Sequence, residues 1–166
     1  MNIIVKNRFL LYKGYKIKCS IGKNGTTTSK KEGDLSTPKG FFKIGTLYYR
    51  KDRIKLNKCK IKKKVIKKNM GWCDDPFSKQ YNKLIKLPAA CSFEKLYKKD
   101  NAYDIILVLN YNMSPIIKNK GSAIFVHVAK KNYKKTEGCI ALKKIHLLKI
   151  IKKLKTSSTI KIENRI

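Results

Sequence analysis

The sequence lacks several features that mark common protein classes. Its longest apolar runs, such as residues 105–109, fall far short of the roughly 18–20 residues that a membrane-spanning helix needs. No two cysteines have the Cys-x-x-Cys spacing, and the total of five cysteines is odd. These absences argue against a spanning helix, a zinc ribbon and a fully paired disulfide framework. We expect four of the cysteines to behave as small apolar residues, namely Cys19, Cys59, Cys73 and Cys91.

Acidic residues and arginine are also scarce. The chain has ten Asp and Glu against 41 Lys and Arg, which gives a formal net charge of +31, and its four arginines are Arg8, Arg50, Arg53 and Arg165. Proteins that read nucleic acid favour arginine, because its planar guanidinium bonds bidentately to phosphates and base edges. We therefore do not expect a nucleic-acid partner. Two interpretations of the lysine content stay open: compositional drift, or a selected affinity for a polyanion such as a membrane surface or a cell-wall polymer.

The length of 166 residues and the 42% hydrophobic content fit one folded domain with its own core. Residues 1–12 lack the basic start, continuous apolar stretch and small-residue cleavage site of a signal peptide. From this segment we expect a mature form, a cytosolic protein or export by another route.

Short apolar segments predict a β-rich fold. Strands are predicted over residues 3–5, 9–12, 15–21, 41–49, 103–110, 123–128 and 158–162. Apolar residues at helical spacing predict an amphipathic helix over 143–154, and this helix contains His146, for which we expect a structural or exposed role. A second short helix is predicted over 92–99 with Ser92 as its N-cap, and loops are predicted over 22–36 and 69–83. The pattern therefore predicts a mainly β domain with one or two packed helices.

The clearest chemical signal is a histidine in an apolar strand with a cysteine twelve positions later. His127 lies near the end of that strand, and Cys139 follows Gly138 and is predicted to stand directly before a helix. A thiol with a pKa of about 8.5 is only slightly ionised at neutral pH, so a histidine base and a helix N-terminus would activate it. Gly138 would let the backbone N–H groups around Cys139 form an oxyanion hole. Spacing alone leaves open a second interpretation, in which both residues are ordinary core residues.

Several motifs together resemble the L,D-transpeptidase family, whose catalytic domain is of the YkuD type. The segment Thr136-Glu137-Gly138-Cys139-Ile140-Ala141-Leu142 resembles the family's active-site motif, and Thr37-Pro38-Lys39-Gly40-Phe41 resembles its TPxGxF strand entry. The segments 71–82 and 121–127 are similar to those of a compact bacterial branch. The sequence departs from the usual motif at Glu137, where the family has His, at Ala141, where it has Asn or Arg, and in a shorter His-to-Cys interval. The resemblance implies one catalytic domain over residues 1–166.

The resemblance also implies a fold and a reaction. The fold would be an L,D-transpeptidase-like β-sandwich with Cys139 in a groove between the sheets. Cys139 would be the nucleophile on a peptidoglycan stem peptide, His127 the general base and then acid, and the Val128 carbonyl would orient the histidine. An amine acceptor would give a 3→3 cross-link, and water would make the enzyme an L,D-carboxypeptidase. No metal or organic cofactor is implied. A monomer in the periplasm or cell envelope is expected, with the cytoplasm as the alternative.

Weaker predictions concern substrate binding. The predicted contacts are Thr136, Glu137, Trp72, Asp74, Asp75, Tyr111 and Arg50. For Trp72 and the two aspartates, a core tryptophan and an Asx turn are equally open, and for Arg50 an ordinary ion pair is open. The alternative function from a different class is a basic polyanion-binding protein.

Overall fold

The computed structural model describes residues 2–163, and these residues form a β-rich fold with one α-helix. The strands are β1 Asn2–Lys6, β2 Phe9–Tyr12, β3 Tyr15–Ser20, β4 Thr26–Thr27, β5 Thr37–Pro38, β6 Gly40–Tyr49, β7 Lys63–Val65, β8 Met70–Cys73, β9 Leu84–Lys86, β10 Phe93–Lys95, β11 Ile105–Leu109, β12 Phe125–Val128, β13 Ile140–Leu142 and β14 Thr159–Ile162. The helix α1 spans Lys144–Ile151, and a 3₁₀ turn spans Lys131–Tyr133. No helix within residues 2–163 is both long and apolar enough to cross a bilayer.

The main sheet closes on itself. Its strand order is β11-β12-β13-β3-β2-β1-β14-β6-β7, and β6 also pairs with β11. The ten-residue strand β6 has different partners along its length. Its first half pairs with β14, and its second half pairs with β11 and β7. Strand β3 divides in the same way between β2 and β13. The two sheets of the predicted sandwich are thus continuous through β3 and β6, and the predicted mainly β fold is confirmed.

Two apolar clusters lie on opposite faces of β11, whose five residues are all buried. Ile105, Leu107 and Leu109 belong to the larger cluster, which α1 joins through Leu147. Ile106 and Val108 belong to a smaller cluster with Trp72 of β8 and Phe125 of β12. Because successive side chains of a strand point to opposite faces, a central strand with both faces covered is apolar throughout. The smaller cluster is the one that reaches the catalytic candidates.

Two sequence predictions were wrong in the region that covers the smaller cluster. The segment predicted as a loop over 69–83 contains β8, and the helix predicted over 92–99 is replaced by β10 and irregular chain. Both strands belong to a three-stranded sheet with the order β10-β8-β9. Ser92 does not cap a helix; its Oγ donates to Asp74 Oδ1 at 2.6 Å. The predicted loop over 22–36 likewise contains β4, which pairs with β5.

Candidate active site

Strand register brings Cys139 and His127 to the same face of the main sheet. Strands β12 and β13 are parallel, with Val126 beside Ile140 and His127 beside Ala141. One residue earlier in this register, Cys139 comes beside Phe125, and the Phe125 N–H donates to its Sγ at 3.4 Å. Because side chains alternate along each strand, Cys139 and His127 project to one side, and ideal strand spacing puts such a diagonal pair about 8 Å apart between Cα atoms. Two side chains at this spacing can meet above the sheet.

The expectation that Cys139 stands directly before a helix was wrong. It stands before β13, and α1 begins only at Lys144. A helix N-terminus acts within about one turn, so α1 does not supply the charge that would favour a thiolate. Activation of the thiol would therefore have to come from a nearby base, for which His127 is the candidate.

The neighbours of Cys139 keep its thiol protonated. The side chain is partly exposed, and its Sγ donates to the Ala123 carbonyl at 3.1 Å. Burial raises the pKa of Cys139 to about 12, against the opposing effect of the Phe125 N–H. At neutral pH Cys139 is therefore a thiol, which would have to lose its proton to act as a nucleophile.

His127 is arranged to accept that proton. The residue is 7% exposed, and its Nδ1 lies 2.9 Å from the carbonyl oxygen of Val128. Because a carbonyl can only accept, we assign the ring proton to Nδ1, which leaves the Nε2 lone pair free. Burial lowers the pKa of His127 to about 4, with the Val128 carbonyl acting in the opposite direction. The resting pair is thus a neutral thiol and a neutral imidazole.

An aromatic ring supports the other side of His127. Tyr103 meets the imidazole edge to face, with 5.3 Å between ring centroids and an interplanar angle of 77°. Tyr103 also packs against Phe125 at 6.2 Å. Edge-to-face contacts fix ring orientation as well as burying area. The imidazole is therefore held by a hydrogen bond on one side and by an aromatic edge on the other.

The turn before Cys139 is shaped by its own motif residues. The hydroxyl of Thr136 donates to the Cys139 carbonyl at 2.5 Å and accepts the Gly138 N–H at 3.3 Å. Gly138 is buried with φ of 142°, a conformation that L side chains rarely adopt. Glu137 is exposed. Thr136 and Gly138 therefore build the turn, and Glu137 extends from it into solvent.

Asn82 was not among the predicted site residues, and it binds the chain segment that contacts Cys139. It is 2% exposed and uses its whole side-chain amide. Its Oδ1 accepts from Trp72 Nε1 at 2.9 Å and from the Ala123 N–H at 3.1 Å. Its Nδ2 donates to the carbonyls of Tyr111 at 3.1 Å and Asn112 at 2.7 Å. The Tyr81-Asn82 pair lies within one of the segments that resemble the family. The sequence therefore pointed to Asn82 but gave no indication of its role.

Trp72 and the two aspartates occupy the positions expected of structural residues. Trp72 is 3% exposed and packs edge to face on Phe125 at 5.2 Å between centroids. Asp74 accepts from Ser92 Oγ, and Asp75 accepts the Phe77 N–H at 2.9 Å, which forms an Asx turn. The geometry thus places the tryptophan in the smaller cluster, Asp74 in a hydrogen bond across the small sheet and Asp75 in a local turn.

Arg50 and Tyr111 are also engaged within the protein. Arg50 is 3% exposed and forms a two-pronged ion pair with Asp52, at 2.8 Å and 2.6 Å. Tyr111 donates its hydroxyl to the Lys120 carbonyl at 2.5 Å and packs edge to face on Phe42. His146 lies in α1, where it is partly exposed. The structure therefore brings Cys139, His127, Val128 and Gly138 together, and gives the arginine and the tyrosine partners of their own.

Comparison with known proteins gives the same family as the sequence motifs. A family model described as the L,D-transpeptidase catalytic domain, YkuD, matches residues 3–162. Among solved structures, the chain is similar to Mycobacterium tuberculosis L,D-transpeptidase 1, with 11% sequence identity and a TM-score of 0.42. That similarity covers 98% of this chain and 60% of the other. No curated protein matches the chain. Because the family model matches residues 3–162, this chain belongs to the L,D-transpeptidase catalytic-domain family.

Proposed function

We propose that the protein is a cysteine-dependent L,D-transpeptidase that forms 3→3 cross-links between peptidoglycan stem peptides. The observation that carries the proposal is the placement of Cys139, a partly exposed residue, on the same sheet face as His127, whose Nε2 is free to accept a proton. Family membership supports a role on peptidoglycan peptides. The domain would act as a monomer at the cell envelope, where the charge of +31 would suit an anionic wall.

The first step would be acylation of Cys139. Its Sγ attacks the carbonyl carbon of the diaminopimelate residue in a tetrapeptide stem, and its proton moves to Nε2 of His127. The C–N bond to D-Ala then breaks, and His127 returns the proton to the departing amine. A thioester on Cys139 remains. Because both groups start neutral, the charged pair exists only while the reaction proceeds, and the Val128 carbonyl stabilises the imidazolium through Nδ1–H.

The second step would decide between two activities. An amine of a second stem attacks the thioester, His127 takes its proton, and the thiol leaves with that proton, which forms the 3→3 cross-link. With water in place of the amine, the product is a shortened stem and the enzyme is an L,D-carboxypeptidase. The carboxypeptidase deserves a test because the exposed Glu137 lies two residues before Cys139 in the chain, at a position where the usual motif has His. A carboxylate there can hold water as well as an ammonium group.

Mass spectrometry of products from purified disaccharide-tetrapeptides tests the proposal. The enzyme is compared with Cys139→Ala and with Cys59→Ala, which removes another partly exposed thiol and is expected to keep full activity. Cross-linked dimers that need Cys139 are the expected result. Tripeptides without dimers would replace the transpeptidase with the carboxypeptidase. The absence of any Cys139-dependent product from folded protein would contradict both activities and favour the polyanion-binding alternative.

A further inference from the structure

Two cysteines that the proposed reaction does not use lie side by side at the small, three-stranded sheet. Cys73 of β8 is opposite Phe93 of β10, and the Asp74 N–H donates to the Ser92 carbonyl at 3.2 Å, so the two chains stay paired beyond the end of β10. Cys91, two residues before Phe93, therefore lies diagonally across from Cys73. Because side chains alternate along each chain, the two cysteines share one face of the sheet. Asp74 and Ser92 share the other face, where their side chains are hydrogen-bonded.

The two thiols are close enough to act on each other. Burial raises the pKa of Cys73, and the side chain of Cys91 raises it further, against the opposing effects of the Asp75 N–H and the Ser78 hydroxyl. Both cysteines are free thiols in this structure. The register of the two chains and this mutual effect agree that the sulfurs are neighbours.

Cys91 is accessible from solvent, whereas Cys73 is not. Cys91 is partly exposed and lines an open cavity of about 610 Å³ together with Phe77 and Ser78. Phe77 is 89% exposed, and Cys73 is fully buried. A cavity of this size admits a small organic molecule. Cys91 is therefore the thiol that a small oxidant meets first, and Cys73 lies next to it as the second thiol.

We propose that Cys73 and Cys91 form a disulfide by exchange with a small-molecule disulfide. The Cys91 thiolate attacks one sulfur of the oxidant, whose S–S bond breaks, and one reduced thiol leaves. Cys73 loses its proton to solvent and attacks the Cys91 sulfur of the mixed disulfide, which releases the second reduced thiol. The cysteine pair gives up two protons and two electrons, and the oxidant takes up both. Cys91 lies in irregular chain before β10, which can move to bring the sulfurs to the roughly 2.0 Å of a disulfide.

The new bond would fasten the small sheet where it covers the smaller apolar cluster. Trp72, the residue before Cys73, packs on Phe125, and the Cys73 carbonyl accepts the Asn82 N–H at 2.9 Å. The disulfide would close the loop of residues 73–91, which restricts the unfolded chain and thereby stabilises the fold. The inference goes beyond the proposed function and is independent of it, because neither catalytic candidate takes part in the exchange.

Peptide mapping after incubation with oxidised glutathione tests the proposal. The reduced protein is exposed to oxidised glutathione, its remaining thiols are blocked with N-ethylmaleimide, and it is digested with trypsin. The expected product is a pair of peptides, 69–79 and 87–95, joined through Cys73 and Cys91 and separated by dithiothreitol. The urea midpoint of the oxidised protein should exceed that of the reduced protein by about 1 M. Glutathione attached to Cys91 without the joined peptides would overturn the proposal, as would joined peptides with no rise in the midpoint.

Matched variants separate this pair from general thiol reactivity. Cys73→Ser and Cys91→Ser should each abolish the joined peptides and the rise in urea midpoint on oxidation. Cys59→Ser removes another partly exposed cysteine and should keep both. Each variant is compared with its own reduced form, and Cys91→Ser changes a partly exposed side chain, so it serves as the test if Cys73→Ser does not fold. A rise in midpoint in Cys91→Ser equal to that of the wild type would contradict the proposal.

Discussion

The side-chain oxygen of Asn82 accepts a hydrogen bond from the backbone N–H of Ala123 at 3.1 Å. The carbonyl of Ala123 in turn accepts a hydrogen bond from the Cys139 thiol at 3.1 Å, so Ala123 alone separates the asparagine from the candidate nucleophile. Ala123 has φ of 51°, a left-handed conformation that is costly for a non-glycine residue. Such a conformation persists only where neighbours over-determine it, and the Asn82 bond is one of those constraints.

Replacement of Asn82 by alanine is expected to lower both stability and acylation rate. Four hydrogen bonds are lost, which leaves the Trp72 and Ala123 N–H groups without their partner, and the expected loss is about 3 kcal/mol in the free energy of unfolding. Urea unfolding and the acylation rate of Cys139 measure the two effects. Asn119→Ala is the matched control, because Asn119 has a φ of 62°, close to the 55° of Asn82, but is exposed, and it should lose only about 1 kcal/mol. Equal losses in the two variants would contradict the positioning role.

Folding stability is expected to fall as the pH drops from 6.5 towards 4. Burial lowers the pKa of His127 from 6.5 to about 4, so in this range the unfolded chain binds a proton that the folded chain does not. The stability linked to His127 is present in full above pH 6.5, and up to about 3 kcal/mol is lost by pH 4. Urea unfolding of the wild type and of His127→Gln across this range measures the difference. The two curves should converge as the pH falls; parallel curves would show that the neutral, buried imidazole is not the cause.

Sequence patterns predicted the parts of the fold that depend on local signals. The apolar run at β11 and the helical spacing at Leu147 and Ile151 were correctly interpreted, since burial on both faces or on one stripe is visible in the residues themselves. The small sheet was missed because β8 and β10 exist through their mutual pairing, in which Cys73 lies opposite Phe93. Ser92 has the residue type of an N-cap, but its hydroxyl bonds across the sheet to Asp74. Contacts of this range leave no local pattern.

The candidate site divides in the same way. The motif selected Cys139 and His127, while the role of Asn82 depends on four partners that are distant in the sequence. The helix expected after Cys139 begins later because the three apolar residues of β13 pair with β12, which turns this segment into a strand. Pairing of a parallel strand depends on chain remote in sequence, so local propensity was a poor guide here.

Arg50→Lys is expected to destabilise the protein and slow acylation although it conserves the charge. The guanidinium bonds Asp52 with two nitrogens and the Lys98 carbonyl with the third, and it lies 3.5 Å from the Tyr97 ring centroid. A lysine ammonium cannot reproduce this planar arrangement, so a loss of about 1–2 kcal/mol is expected. Arg8→Lys is the control at an exposed arginine and should change stability by less than about 0.5 kcal/mol. Urea unfolding and acylation rates are measured for both variants. Equal, small effects would show that the Arg50 guanidinium does not hold the main chain at Lys98 in place.

Gly138→Ala is expected to disturb the turn before the nucleophile more than a glycine substitution elsewhere. At φ of 142°, a Cβ on Gly138 would lie 2.9 Å from the carbonyl oxygen of Ser36, a backbone atom that cannot rotate away. Backbone strain and this contact together predict a loss of about 3 kcal/mol and slower acylation of Cys139. Gly25→Ala separates the two causes, because Gly25 has φ of 79° with nothing within 4 Å of the added Cβ, so only conformational strain of about 1 kcal/mol applies. Urea unfolding and intact-mass acylation rates measure both variants. A larger loss of unfolding free energy for Gly138→Ala, with acylation impaired in that variant alone, would show that the close approach of the Ser36 backbone holds Cys139 in place. Equal losses in the two variants would attribute the whole effect to backbone strain.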